Sequence, residues 1–161
     1  MATYQEWLKA DLPADLRREL VSLQEADIEE RFGRYLSFGT GGLRGENGAG
    51  TGRMNIYTVR RAAAGVARMV LRMEPERSQR GVLIAYDTRR KSAEFAEAAA
   101  LALCAAGVPA VVFDRPAPTP LLSFAVRFCR AAAGIVITAS HNPPSYNGFK
   151  VYDSAGCQLT P

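Results

Sequence analysis

Lysine is nearly absent from this chain. Of 20 basic residues only Lys9, Lys91 and Lys150 are lysines, and the rest are arginines. Histidine occurs once, at position 141, and the three cysteines Cys104, Cys129 and Cys157 lie far apart. That leaves no zinc-ligand spacing. An odd cysteine number, with Cys104 and Cys129 inside apolar helical patterns, predicts buried, reduced thiols in a cytoplasmic protein. No run of about 18 apolar residues occurs, which excludes a membrane-spanning helix. The longest such stretch, 95–107, is interrupted by Glu97. The amino terminus lacks the basic and apolar regions of a signal peptide. The net charge of +4 is scattered along the chain. A nucleic-acid stripe is therefore not expected despite a pI of 9.2. Arginine also suits phosphate-bearing small molecules.

What is present is ordinary globular composition: 161 residues, 48% hydrophobic and 22% charged. That is enough for one domain with a proper core. Residues 1–37 read as an N-terminal helical arm, with Trp7, Leu8, Leu12, Leu16, Leu20, Leu23, Ile28 and Phe32 near helical spacing and Pro13 splitting the run. Residues 38–52 are too rich in glycine for a helix and read as loop or strand–loop. Thr58 is expected to cap a helix over 59–73, and Ser92 a second over 93–106. A third runs from Thr119 or Pro120 to about Cys129. The apolar runs 81–86, 108–113 and 134–138 read as buried strands. Residues 149–152 and 157–159 flank a turn and suggest a hairpin. The pattern predicts an α/β fold: a three-layer α/β/α sandwich with a mixed, mostly parallel sheet of about four strands, plus the helical arm. The arrest at Thr160-Pro161 reads as a cut or a boundary.

Ligands of such sheets gather at the carboxyl ends of the strands. Three segments fall there: Asp87-Thr-Arg89, 116–120 and Thr138-Ala-Ser-His-Asn-Pro143. Neighbouring Ser140 and His141 make a poor hydrolase pair, because adjacent side chains point apart. A serine hydroxyl on a tight loop ringed by cations suits a phosphoryl carrier instead. Lys150 and Arg44 would neutralise phosphate oxygens, and His141 would donate to one. The alternative is that His141 and Asn142 only hold a turn before Pro143. Gly39-Thr-Gly-Gly-Leu-Arg44-Gly45 matches neither a P-loop nor a dinucleotide fingerprint. It reads as an anion-approaching loop carrying Arg44, or as a flexible turn. Asn147-Gly148-Phe-Lys150 reads as a hairpin turn with a solvated lysine, or as a lysine folding back beside Ser140. Asp87, Arg89 and Ser92 read as structural.

These segments, in this order, resemble the α-D-phosphohexomutase superfamily, and specifically the first domain of phosphoglucomutase/phosphomannomutase enzymes. The carriers are Phe38-Gly-Thr-Gly-Gly-Leu-Arg-Gly45, Gly52-Arg-Met-Asn55, Tyr86-Asp-Thr-Arg89, Pro118-Thr-Pro120 and Thr138 through Lys150. The resemblance implies that Ser140 carries the phosphate. It passes it to a hexose monophosphate, forming a bisphosphate that reorients and returns its other phosphate. Arg44, His141 and Lys150 match positions that contact the transferring phosphate or assist proton transfer. The resemblance implies Mg²⁺, bridged by the phosphoserine and three aspartates, with glucose 1,6-bisphosphate as activator. Glucose phosphate is the first expected substrate and mannose phosphate the second. The branch acting on glucosamine phosphate usually has an acidic residue where Gly41 stands. Family members have four domains, and the aspartate loop belongs to the second. No D-x-D-x-D occurs here. The expected division is an arm over 1–37 and phosphohexomutase domain I over 38–161, with the remaining domains as partners. Alone, the chain is expected to be inactive or nearly so. A stand-alone phosphosugar-binding or regulatory module is the alternative. No nucleic-acid or membrane partner is expected, and the oligomeric state is left open.

Overall fold

The computed structural model describes residues 3–160. Met1, Ala2 and Pro161, the last belonging to the expected boundary, lie outside the described residues. The arm forms three short helices: α1 Tyr4–Lys9, α2 Ala14–Val21 and α3 Glu25–Phe32. Pro13 separates the first two, as its missing N–H requires. Their apolar faces do not stand apart from the rest. Trp7, Leu12, Leu16, Leu20 and Phe32 form a cluster with Ala49, and Tyr57 packs against it. Trp7 meets Phe32 and Tyr57 edge-on, with ring centroids 5.5 and 5.2 Å apart. Lys91 Nζ reaches Asp15 at 2.7 Å and so ties α2 to the sandwich.

The sandwich continues with β1 Leu43–Glu46, α4 Ile56–Leu71, α5 Pro75–Ser78, β2 Val82–Tyr86, α6 Ser92–Ala105, β3 Ala110–Val112, α7 Thr119–Phe128, β4 Ala133–Ile137 and β5 Tyr146–Tyr152. The sheet order is β1-β5-β4-β2-β3. β2 pairs in parallel with β3 and β4, whereas β5 is antiparallel to both β4 and β1. Four strands thus share one direction and β5 alone opposes them. α4 and α6 cover one face through Val59, Ala63, Val66, Phe95, Ala99 and Leu103, against Val82, Ile84, Ile135 and Ile137. α7 covers the other, setting Leu122 and Val126 against Leu83, Ala85 and Val136. Strands buried on both faces read as unbroken apolar runs, which explains 82–86 and 133–137.

Several expectations are corrected. The sheet has five strands where about four are expected, because the glycine-rich stretch, read as loop or strand–loop, contributes β1. The 108–113 run is not a buried strand: β3 is a three-residue edge strand with Val111 59% exposed. α4 is capped by Asn55, whose side chain accepts from the Tyr57 and Thr58 amides at 3.1 Å. Thr58 closes the capping box from the third helical position. α6 begins after Lys91, which sits at φ +70°, and Ser92 is the first helical residue rather than the cap. All three cysteines are exposed rather than buried. Cys104 on α6 and Cys129, the residue after α7, belong to neither cluster. The hairpin after β5 reduces to a turn and one antiparallel bridge, Tyr152 to Gln158. Among the described residues no helix is long and apolar enough to cross a membrane.

Candidate active site

The loop after β4 leaves the sheet at the carboxyl end of two parallel strands, beside the loop after β2. Ile137 accepts from the Asp87 amide at 3.1 Å, which holds the two loops together at their roots. Thr138 Oγ1 accepts from the Ser140 amide at 2.9 Å, and Ala139 O accepts from the Asn142 amide at 3.1 Å. The result is a tight turn with Ser140 exposed at its tip. Ser140 has φ +56°, in the left-handed region. A non-glycine residue is held there at a cost of about 1–3 kcal/mol, and such strain collects at functional sites.

β5 brings Lys150 back to this tip. Lys150 lies opposite Val136 in the β4–β5 register. Its Nζ donates to Ser140 Oγ at 2.9 Å. The residue is only 8% exposed, and no carboxylate among the described residues forms an ion pair with it. Burial holds its pKa below the usual lysine value, and the neighbouring Arg44 cation adds to the effect.

Arg44 comes from β1, opposite Gly148 of β5. Its NH1 reaches Asn142 Oδ1 at 3.5 Å, while its Nε is buried with no hydrogen-bond partner. Two glycines make this placement sterically accessible. A Cβ at Gly41 would lie 2.8 Å from Arg44 NH2, and one at Gly148 would lie 2.6 Å from Thr138 O. Ser140, Lys150 and Arg44, 106 residues apart at the extremes of the sequence, are therefore brought to one place by the antiparallel pairs of β5. His141 is also at the tip, exposed, and its side chain makes no hydrogen bond among the described residues.

Sequence reasoning gave Asp87, Arg89 and Ser92 a structural part and missed how closely they serve the loop. Arg89 donates to the carbonyl oxygens of Ser140, Asn142, Pro143 and Tyr146 at 2.9, 2.6, 2.8 and 3.2 Å. Asp87 accepts from the Ser92 hydroxyl at 2.6 Å and the Arg89 amide at 2.9 Å. Buried Asn147 donates to Ser92 Oγ at 3.0 Å and Arg90 O at 3.1 Å. An arginine followed by backbone partners leaves no mark in a sequence; only its position after β2 hinted at it. An open cleft of about 810 Å³ lies along this loop, lined by Asn47, Asp87, Arg89, Arg90, Ser140 and Ser145. Among the described residues no group of three or more His, Cys, Asp or Glu side chains is placed to hold a metal ion.

An exposed hydroxyl beside a half-desolvated ammonium and a guanidinium suits transfer of an anionic group. Residues 35–161 match the family model described as phosphoglucomutase/phosphomannomutase, alpha/beta/alpha domain I. A Schizosaccharomyces pombe protein named "Probable phosphoribomutase" is 41% identical over 160 residues, covering 97% of this chain and 27% of its own length. A Staphylococcus haemolyticus phosphoglucomutase is 46% identical over 131 residues, covering 81% of this chain and 23% of its own. The crystal structure of a phosphoglucomutase/phosphomannomutase family protein from Burkholderia thailandensis superposes with a TM-score of 0.64 at 29% identity, over 76% of this chain and 27% of that one. The chain spans about a quarter of the length of these relatives. With the family model covering most of it, and with the fold in agreement, the chain belongs to the phosphoglucomutase/phosphomannomutase family and carries its α/β/α domain I.

Proposed function

We propose that this chain is the catalytic-serine domain of a hexose-phosphate mutase, which interconverts sugar 1-phosphate and 6-phosphate through a phosphoserine at Ser140. The observation that carries the reading is the 2.9 Å contact between Lys150 Nζ and the strained, exposed Ser140 hydroxyl. In the forward half-reaction the P–Oγ bond of phosphoserine breaks as a sugar hydroxyl forms the new P–O bond. Lys150 gives a proton to the departing Oγ, and His141 takes the proton from the attacking hydroxyl. Arg44 offsets the charge on the transferring phosphoryl group. After the bisphosphate reorients, the same steps run in reverse with the other phosphate, so both protons return. Glucose phosphate is the first substrate in this reading and mannose phosphate the second, in a cytoplasmic setting.

The family resemblance calls for Mg²⁺, and this chain does not fit the ion by itself. A phosphate on Ser140 would supply oxygen, but Mg²⁺ requires near-octahedral oxygen coordination, and among the described residues no group of three or more His, Cys, Asp or Glu is placed to complete it. The remaining ligands are assigned to other domains of the same enzyme. The proposed division is an arm over 1–37 and the mutase domain over 38–161, with negligible turnover by the chain alone. Glucose 1,6-bisphosphate acts as activator by loading Ser140. The arginine-lined cleft favours one second reading, a phosphosugar-binding module without turnover.

The test is incubation with glucose 1,6-bisphosphate and Mg²⁺ followed by peptide mapping. Slow, stoichiometric phosphate on Ser140, absent in Ser140→Ala, supports the mutase reading. Phosphosugar binding with Ser140 unmodified, in the presence of the other domains, favours the binding module.

A further inference from the structure

We propose that Arg89 is the positioning residue that sets Ser140 for phosphoryl transfer; this rests on the phosphoserine reading above. Its NH1 donates to Pro143 O and Tyr146 O, and its NH2 to Ser140 O and Asn142 O. Its Nε faces Asp87 Oδ2 at 3.5 Å. A guanidinium has five N–H donors in a planar fork, and here the four on NH1 and NH2 all go to backbone carbonyls while Nε faces the Asp87 carboxylate as an ion pair. NH1 and NH2 of Arg89 therefore have no donor to spare for a sugar phosphate, although the residue lines the cleft. Its partners instead span the whole β4–β5 loop, from Ser140 to the first residue of β5.

The guanidinium is itself fixed from behind. Asp87 is held by Ser92 Oγ, which is fully buried and also accepts from Asn147. Ser140 needs such a frame. A left-handed serine persists only where its surroundings over-determine it, and among the described residues the one other polar tie at this residue's backbone is its amide to Thr138. Fixing the Ser140 carbonyl fixes the peptide plane that follows it, and with it the approach of Oγ to Lys150. Lysine cannot replace this fork, since three donors on one tetrahedral nitrogen cannot meet four carbonyls.

The experiment uses this chain labelled with [ε-¹³C]lysine. It has three lysines, each with its own surroundings. Lys150 reports on Ser140, and Lys91 reports on the Asp15 contact that ties the arm to the sandwich. In Arg89→Gln and Arg89→Lys the Lys150 signal is expected to move while the Lys91 signal stays. Phosphate uptake by Ser140 from glucose 1,6-bisphosphate is expected to fall roughly a hundredfold in both, the scale of a misplaced reacting group. The bisphosphate concentration giving half-maximal rate is expected to stay unchanged. Three results would overturn the proposal: an unmoved Lys150 signal, full rescue of uptake by lysine, or a raised half-maximal concentration at unchanged rate. If Arg89→Gln lacks a cooperative urea transition, that variant has lost its fold and Arg89→Lys decides. If the wild-type chain takes up no phosphate even when mixed with the remaining domains of a family relative, the phosphoserine reading fails, and the Lys150 signal alone decides whether Arg89 frames the loop.

Discussion

Lys150 donates to Ser140 Oγ at 2.9 Å across a loop of the β4–β5 pair, with Arg44 rather than a carboxylate as its charged neighbour. A lysine so placed is poorly solvated and unpaired, so it serves the site at some expense to the fold. Replacing it by methionine is expected to cut phosphate uptake by roughly 10²–10⁴-fold, the range of a lost proton-transfer group. Stability at neutral pH is expected to hold or rise. Parallel urea melts and peptide mapping check both halves.

The same lysine gives a pH signature. Its folded pKa lies below 10.5, the unfolded value, so the unfolded chain binds the proton more tightly. Stability contributed by this group is lowest at neutral pH. It rises as pH climbs from the depressed folded pKa toward the unfolded value. Wild type is expected to gain on Lys150→Met over that alkaline window, measured as the difference in urea midpoints.

Gly41→Ala is expected to disturb Arg44 with little effect on the fold. The added carbon would meet the far end of a flexible side chain at 2.8 Å. The guanidinium can swing away, so stability should change by less than about 1 kcal/mol, while phosphate uptake falls about tenfold or more. Denaturation and uptake on the same sample separate the two.

Gly134→Ala is expected to do the opposite. Its Cβ would lie 2.6 Å from Val126 Cγ2 and 3.0 Å from Leu122 Cδ2, where α7 presses on β4. Overpacking of this kind costs about 1–3 kcal/mol. The loop after β4 should keep its chemistry at temperatures where the variant is folded.

The arm should behave as part of the core. Trp7→Ala removes a buried ring wedged between Phe32 and Tyr57, and is expected to cost about 3–5 kcal/mol. Lys91→Met removes only partly exposed ion pairs with Asp15 and Glu94 and should cost at most about 1 kcal/mol. Limited proteolysis should cut within residues 10–24 in the first variant and not in the second.

Burial on both faces made β2 and β4 legible as apolar runs, and the cap and turn residues marked α4, α6 and α7 to within a few positions. Ser140 and Lys150 were legible because a short segment carries both. β1 was not, since its strand character comes from pairing with β5 about a hundred residues away and its glycines argue against it locally. β3 and the cysteines were misjudged for one reason: an apolar run does not say which of its sides is covered. α6 is so rich in alanine that its buried face cannot be read from spacing. Arg89 escaped because its partners are backbone carbonyls, which every residue possesses.

The decisive measurement is a mutase assay with glucose 1-phosphate, Mg²⁺ and catalytic glucose 1,6-bisphosphate. The chain is tested alone and then mixed with a protein supplying the remaining domains of a family relative. Activity only in the mixture, abolished by Ser140→Ala, is the expected result. Robust turnover by the chain alone, or a mixture indifferent to Ser140→Ala, would contradict a catalytic-serine domain that depends on its partners for metal and sugar sites.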